Sequence, residues 1–197
     1  MTPGWRDLDA GAWRRLPPRV RAWLALETSM TERVGQAAQG PVDVEVLRQS
    51  PGPFLPDERL FFPGAVGPAT VREVCLSSGG RPLLVARTAF VSPRLRDHPT
   101  IRHLGTRALG SLLFAEGRPS PYSARQVACL KAGAPLVRLV RQRHHGVAEG
   151  YWARRTLYRL FGEPLLVTEI ILPELVHGRT RLPVAARDPL LIGRRAA

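Results

Sequence analysis

The sequence predicts an α+β fold, in which an amphipathic helix precedes several strands of a sheet. Three observations support this prediction. Residues 17–39 place apolar side chains at helical spacing, and residues 41–50 alternate apolar and polar side chains as a half-buried strand does. Residues 71–93 and 153–173 each fit a pair of strands joined by a turn that contains Gly. With 197 residues, the chain is long enough to bury one core, and we expect a single domain.

The predicted helix begins at Pro17-Pro18, which suits a first turn, and ends before Gly40-Pro41. Glu27 interrupts its apolar face. That face carries five residues: Val20, Trp23, Leu24, Met30 and Val34. In the strand that follows, three Val residues point to one side: Val42, Val44 and Val46. The long Pro- and Gly-rich loop from Ser50 to about Pro68 is expected to act as a mobile cover.

The two strand pairs turn at a Ser-Gly-Gly sequence and at Phe161-Gly162. Between them, residues 99–115 fit a short loop and then a helical turn, and residues 121–132 fit either a helix or a strand. The core of the domain then spans about residues 17–173. The Pro- and Arg-rich tail at 174–197 is expected to be peripheral.

The two strand pairs also resemble each other. Shifting the chain by 82 residues without a gap superposes Arg72 on Arg154 and aligns the apolar runs that follow both turns. Arg87 then falls on Glu169. The alignment therefore predicts that each pair carries one ionisable residue at the same point of its second strand.

Composition and charge limit the classes of function. The chain is 44% hydrophobic and 23% charged, as globular proteins are, and its net charge is +13. Only one of the 29 basic residues is Lys, and the Arg residues are spread along the chain. The densest basic patch, residues 138–146, lacks the interleaved aromatic residues of single-strand binders. We therefore expect no nucleic-acid partner, although a positive protein does attract small anionic substrates.

Other classes of protein and site find little support in the sequence. No apolar run approaches the roughly 20 residues of a membrane span, and no stretch near the N terminus suits a signal peptide. We therefore expect a cytoplasmic protein without stable membrane insertion. Cys75 and Cys129 form neither a CxxC pair nor a disulfide framework, and none of the five His residues lies in a metal-ligand motif. GxSxG, P-loop and GxGxxG sequences are absent, so we expect no metal and no cofactor.

Glu169 is the chemically unusual residue. It lies at the centre of the apolar run at residues 162–173, in the second strand of its pair, and Arg87 lies in a similar apolar strand. A lone buried charge is costly, so Glu169 must be paired, neutralised or facing a polar cavity. Three alternatives stay open: a structural Glu–Arg pair in the sheet, an edge strand with Glu169 in water, or a ligand cavity lined by Glu169 and an Arg.

Four segments, taken in order, resemble one family. They are WLALETSMTERV at 23–34, VREVCLSSGGRPLLVARTAFV at 71–91, LGTRALGSLLF at 104–114 and YWARRTLYRLFGEPLLVTEIILP at 151–173. The set is similar to the chorismate–pyruvate lyases, bacterial enzymes that make 4-hydroxybenzoate for ubiquinone. The chain departs from the family in an Arg- and His-containing stretch around residues 131–148, which is longer than usual, and in the tail after Pro173.

The resemblance implies a chorismate lyase-like antiparallel sheet with helices packed around it and an internal cavity covered by a flap. It implies elimination of pyruvate from chorismate, with Arg72 and Glu169 as catalytic residues. Separately, we expect a monomer. Arg72 would hold the substrate carboxylate, and Glu169 would meet the ring hydroxyl. The backbones of Met30 and Leu109 would add hydrogen bonds, although on the residues alone both fit plain core packing. The roles of Arg87 and of the Arg154-Arg155 pair stay open.

Two other functions are alternatives. The same fold family includes ligand-sensing domains of transcription regulators, so this chain could be a non-catalytic domain that binds an aromatic carboxylate. Fewer than about 20 residues precede the first predicted helix, which is too few for a DNA-binding module. The third alternative is a basic RNA-binding protein, whose binding would weaken steeply with salt.

Overall fold

The computed structural model describes residues 4–8, 10–115, 120–146 and 148–177. Within these residues the chain forms seven strands: β1 (Arg6–Asp7), β2 (Asp43–Gly52), β3 (Ala69–Ser78), β4 (Arg81–Phe90), β5 (Tyr122–Leu130), β6 (Tyr151–Leu160) and β7 (Glu163–Ile171). All pair antiparallel in one sheet, in the order β1-β5-β6-β7-β4-β3-β2. The predicted α+β class and the antiparallel sheet are therefore confirmed.

Short helices surround the sheet. Within the described residues they are α1 (Ala10–Arg15), α2 (Pro18–Leu24), α3 (Met30–Ala38), α4 (Pro93–Asp97), α5 (Pro99–Arg102), α6 (Gly110–Leu113), α7 (Pro135–Val140) and α8 (Pro173–His177), with a 3-10 turn at Arg59–Phe61. None of the helices in this part of the chain is long and apolar enough to cross a membrane.

The predicted helix over residues 17–39 is two helices in the structure, α2 and α3. Ser29 starts the second one, because its Oγ accepts a hydrogen bond from the Glu32 N–H at 3.4 Å and caps α3. Ser29 and Glu32 have the spacing of a capping box, a signal that the single-helix prediction missed. The predicted end before Gly40 is confirmed, because Gln39 adopts a left-handed conformation with a φ of 55°.

Both predicted strand pairs are confirmed as hairpins. Gly79 and Gly80 have φ values of 56° and 73° in the β3–β4 turn, and Phe161 and Gly162 have 51° and 83° in the β6–β7 turn. Turns with positive φ at both central residues match the twist of the flanking strands. β2 is half-buried, as its alternation predicts, and residues 121–132 contain strand β5 rather than a helix.

The sequence match between the hairpins fails by one residue. In the structure, the β4 residue equivalent to Glu169 is Thr88, which lies opposite Arg72. A register shift beside the β3–β4 turn adds Leu83 to β4 as an extra residue. Because neighbouring residues of a strand point to opposite faces, Arg87 is turned away from the face that carries Glu169. The prediction that Arg87 and Glu169 occupy equivalent points is therefore wrong.

We call the face of the sheet that carries Glu169 the front face and the other the back face. Two apolar clusters lie on the front face: α2, α3 and α8 pack around the fully buried Trp23, and α4, α5 and α6 pack around Leu95 and Tyr158. On the back face, the longer stretch around residues 131–148 contributes α7. Its buried residues are Leu136, Val137, Leu139 and Val140.

The loop after β2 packs on the back face. Its buried Asp57 lies 2.7 Å from Arg155 Nη1, and its buried Glu58 lies 2.7 Å from Arg87 Nε. These pairs hold the loop against the side of the sheet away from Glu169. The prediction that residues 50–68 form a mobile cover is therefore wrong for any site on the front face.

The beginning of the predicted tail is part of the core. In α8, Leu175 and Val176 are buried, and Trp23 Nε1 donates a hydrogen bond to the Leu175 carbonyl at 3.2 Å. The prediction that the chain is peripheral from residue 174 is therefore wrong for residues 174–177. The remainder of that prediction, residues 178–197, lies outside the described residues.

Candidate active site

A narrow cavity lies on the front face, between the two apolar clusters. Side chains of β2, β3, β4 and β7 form its floor: Val44, Arg72, Val74, Leu76, Leu84, Ala86, Thr88, Val167 and Glu169. The start of α3 and the residues in and on either side of α6 form its roof: Met30, Thr31, Ala108, Leu109, Gly110, Leu113 and Phe114. The cavity volume is about 60 Å³. All four predicted site residues, Met30, Arg72, Leu109 and Glu169, line this one cavity.

Arg72 stands on β3 at one end of the floor and is buried. Its Nη1 donates to Gln49 Oε1, and its Nη2 donates to the carbonyls of Gly105 at 2.8 Å and Arg107 at 3.2 Å. These bonds fix the guanidinium beneath the loop that leads into α6. The Nε–H and one Nη1 N–H have no acceptor among the described residues, so they are available to a ligand.

Arg72 differs from the other buried arginines in its charge balance. Four Arg residues of the described chain are buried: Arg72, Arg87, Arg154 and Arg155. The other three each contact a Glu or Asp oxygen at 2.7 Å, whereas Arg72 has no carboxylate partner among the described residues. Burial lowers the pKa of Arg72 below its ordinary value, but a guanidinium stays charged in proteins. An unpaired buried cation is unfavourable, so this end of the cavity suits a carboxylate ligand.

Glu169 stands on β7 at the other end of the floor, and its partner is Arg154 of β6. Arg154 Nε lies 2.7 Å from Glu169 Oε2, and the two residues are directly opposite in the β6–β7 ladder. Glu169 Oε1 accepts no hydrogen bond from the described residues. The structure thus combines two of the alternatives, since Glu169 is in a Glu–Arg pair and also lines a cavity. The edge-strand alternative is wrong, because β7 lies between β6 and β4.

Arg154 is completely buried and holds more than the Glu169 carboxylate. Its Nη1 also donates to the carbonyl of Leu26 and, at 3.4 Å, to that of Leu24. Leu24 is the last residue of α2, and Leu26 lies in the segment that connects α2 to α3. Burial lowers the pKa of Arg154, but the Glu169 carboxylate and the nearby Tyr158 and Tyr122 together outweigh it, so the pKa is raised overall. Arg154 is therefore a fixed cation that orients Glu169 and holds the backbone at Leu24 and Leu26.

The two charged ends of the floor are far enough apart to hold a small ligand between them. Arg72 lies opposite Thr88, Thr88 lies opposite Val167, and Glu169 is two residues further along β7. Two strand spacings of ~4.8 Å and two residues of ~3.4 Å place the Cα atoms of Arg72 and Glu169 about 12 Å apart. The floor between them is apolar apart from Thr88. A flat ring with an anion at one end and a hydroxyl at the other matches this arrangement.

The two roof segments offer backbone N–H groups and touch each other. Met30 is the first residue of α3, and Leu109 directly precedes α6. N–H groups at a helix start lack helical acceptors, and neither of these two N–H groups has another acceptor within the described part of the chain. A Cβ placed on Gly110 would lie 2.8 Å from Ser29 Oγ, so the roof segments meet where Gly allows a close approach.

Sequence reasoning left the partner of Glu169 unassigned. Arg154 and Arg155 are adjacent, and alternation sends one to each face of the sheet. Arg155 reaches Asp57 on the back face, and Arg154 reaches Glu169 on the front face. The sequence did contain a signal for this pair. A hairpin that turns at Phe161-Gly162 places Arg154 opposite Glu169, and alternation puts both side chains on the same face.

The fold and the cavity together define a class of protein. A sheet whose covered cavity joins a cation, an apolar floor and a carboxylate is a small-molecule-binding domain suited to an anionic, hydroxylated ring. Among the residues that the structure describes, no three His, Cys, Asp or Glu side chains come together as a metal-binding group.

Comparison with known proteins identifies the family. The chorismate lyase family matches residues 5–182. A probable chorismate pyruvate-lyase of Halorhodospira halophila is 37% identical over 183 residues, which cover 86% of this chain and 94% of that protein. A probable chorismate pyruvate-lyase of Azoarcus sp. (strain BH72) is 36% identical over 178 residues, which cover 84% and 92%. The chain belongs to the chorismate lyase family.

The fold also occurs outside this family. The effector domain of PhnF from Mycobacterium smegmatis aligns with a TM-score of 0.51 at 12% identity, over 73% of this chain and 88% of that chain. At so low an identity the likeness concerns the fold alone.

Proposed function

We propose that this protein is a chorismate pyruvate-lyase, which eliminates pyruvate from chorismate and releases 4-hydroxybenzoate for ubiquinone biosynthesis. One observation carries the proposal: Arg72, a buried cation without a carboxylate partner among the described residues, shares a cavity with Glu169. Chorismate has the matching groups, a ring carboxylate and a hydroxyl at the opposite end of the ring. Membership of the chorismate lyase family supports the same reaction.

Arg72 binds the ring carboxylate through its Nε–H, which it does not donate to the protein. Charge-assisted hydrogen bonds of this kind are roughly twice as strong as neutral ones, so Arg72 anchors the substrate. The N–H groups of Met30 and Leu109 donate to ligand oxygens from the roof. The apolar floor orients the ring and excludes water, which favours one reactive geometry.

Glu169 acts at the carbon that bears the hydroxyl. Its Oε1 accepts a hydrogen bond from the 4-hydroxyl while Oε2 stays with Arg154. In the elimination, C4 loses its proton, the C–H electrons form the last ring double bond, and the C3–O bond breaks. The enolpyruvate leaves and takes up a proton to become pyruvate. Aromatisation of the ring supplies the driving force, so the reaction needs no redox or metal cofactor, and Glu169 is our candidate for the proton acceptor.

The roof of the cavity is our candidate for the flap. At about 60 Å³, the cavity holds only a few water molecules, each of which needs roughly 10–15 Å³ by the same measure. A substituted ring therefore enters only when the start of α3 or residues 108–114 move. We further propose that the protein works in the cytoplasm as a monomer, because one chain supplies both charged ends of the cavity.

The test is to incubate the full chain with chorismate, in a chelator and without added cofactor, and to quantify 4-hydroxybenzoate and pyruvate together. We expect equimolar products, and we expect Arg72→Ala to raise KM about ten- to a hundredfold, since a hydrogen bond to a charged group contributes roughly 1.5–3 kcal/mol. Arg94→Ala is the control, because its side chain is 80% exposed and lies outside the cavity. Tight binding of 4-hydroxybenzoate without turnover would favour the sensor alternative, and neither turnover nor binding would refute the proposal.

Glu169→Gln separates the two roles of Glu169. The amide keeps an oxygen that can accept from the hydroxyl but cannot take a proton at neutral pH. Loss of at least about a hundredfold in kcat with little change in KM would support proton transfer, because general base catalysis typically contributes 10²–10⁴-fold. Full turnover in this variant would reduce Glu169 to an orienting acceptor.

A further inference from the structure

Thr88 places a buried hydroxyl in the cavity wall without a protein partner. It lies on β4 directly opposite Arg72, it is only 5% exposed, and it lines the floor of the cavity. No described residue exchanges a hydrogen bond with its Oγ1, and the surrounding protein does not fully enclose this oxygen. Buried hydroxyls normally have a partner, so the open side of this one faces the space where a ligand would lie.

The bonds of Arg72 show what that ligand needs. A carboxylate usually binds a guanidinium along the edge formed by Nε and one neighbouring N–H, with one bond to each oxygen. In this protein the neighbouring nitrogen is Nη2, and both of its N–H groups are taken by the carbonyls of Gly105 and Arg107. Only the Nε–H remains on that edge. Arg72 therefore offers this carboxylate one bond where the usual geometry supplies two, and the second oxygen needs another donor.

We propose that Thr88 is that donor, and that its hydroxyl binds the second oxygen of the ring carboxylate held by Arg72. This inference rests on the proposed function, which supplies the carboxylate. Directly opposite residues of an antiparallel pair have Cβ atoms ~4.5–5.5 Å apart, so the two side chains reach the same group from adjacent strands. Thr88 then acts as a specificity residue, because an ester offers neither the charge nor two equivalent acceptor oxygens.

The test compares two ligands in three variants of the full chain by titration calorimetry. Thr88→Val keeps the branched shape and removes the hydroxyl, Thr88→Ser keeps the hydroxyl, and Thr168→Val is a matched control on the back face, where Thr168 is 1% exposed. The ligands are 4-hydroxybenzoate and its methyl ester. We expect Thr88→Val to weaken binding of 4-hydroxybenzoate about ten- to a hundredfold and binding of the ester by less than about twofold. Thr88→Ser should retain most of the affinity, and Thr168→Val should match the wild type.

Each outcome decides a separate point. Wild-type affinity for 4-hydroxybenzoate in Thr88→Val would overturn the role of Thr88 and leave the proposed function intact. Equal losses of affinity for the acid and the ester would also overturn it, because the hydroxyl would then maintain the structure of the site without binding the carboxylate. Absence of 4-hydroxybenzoate binding by the wild type would overturn this inference, while the turnover assay decides the proposed function separately.

Discussion

Replacing Arg154 with Met should destabilise the protein strongly, because it leaves Glu169 as a largely buried anion without its partner. The Glu169 side chain is only 12% exposed, and Arg154 is the one residue that pairs with it among those described. Breaking a buried ion pair by removing one partner costs about 3–5 kcal/mol. The carbonyls of Leu24 and Leu26 also lose their donor, which adds roughly 1 kcal/mol. With a urea dependence of about 2 kcal/mol per molar, the unfolding midpoint should fall by ~2–3 M.

Urea unfolding followed by circular dichroism measures this shift. Arg94→Met is the matched control: its ion pair with Glu163 is exposed, so the midpoint should move by less than ~0.5 M. The double variant with Arg154→Met and Glu169→Gln should be more stable than Arg154→Met alone, since it buries no unpaired charge. A midpoint shift below about 0.5 M in Arg154→Met would refute the reasoning, because it would mean that water or another group already balances Glu169.

Two further predictions concern the roof and the back face. Gly110→Ala places a Cβ 2.8 Å from Ser29 Oγ, so either this hydroxyl turns away from its capping bond to Glu32 or the roof segments separate. Both changes loosen the roof, so we expect 4-hydroxybenzoate to dissociate about three- to tenfold faster in stopped-flow displacement, and an unchanged rate would contradict the contact. Burial raises the pKa of the Cys75 thiol from 9.0 to about 11, so the folded state keeps this proton longer than the unfolded chain. Stability should therefore fall as pH rises from 9.0 towards about 11, and Cys75→Ala should lack that fall in urea midpoints; parallel pH profiles would contradict it.

Local signals were sufficient for most of the sheet. The Gly-containing turns and the alternation of β2 identify elements through a few neighbouring residues, and those predictions are confirmed. The single-helix prediction over residues 17–39 failed because a capping interaction at Ser29 outweighed helical periodicity. The extra residue Leu83 could not be found in the sequence, since one added residue leaves the apolar character of β4 unchanged.

The site was predictable to different degrees at each of its ends. Glu169 stood out because a carboxylate in an apolar strand requires a physical explanation, and the structure supplies a cation and a cavity. Arg72 is one of many arginines in the sequence, and only the family resemblance singled it out. Its distinction is the lack of a carboxylate partner, which depends on contacts between distant segments. Thr88 could be recognised as a site residue only from the strand register, which places it opposite Arg72.

The loop after β2, on the back face, helps to fix the distance between Arg72 and Glu169 on the front face. Asp57 and Glu58 are consecutive residues, yet one holds Arg155 of β6 and the other holds Arg87 of β4, so a single dipeptide bridges β7. Arg87, Thr168 and Arg155 form one row across those three strands, and the same register sets the spacing of Arg72 and Glu169 on the front. The distance between cation and carboxylate is therefore maintained by bonds that no substrate touches. For enzyme redesign, this means that a larger floor residue such as Val74 can be shortened to admit other ring substituents while the distance between Arg72 and Glu169 is preserved.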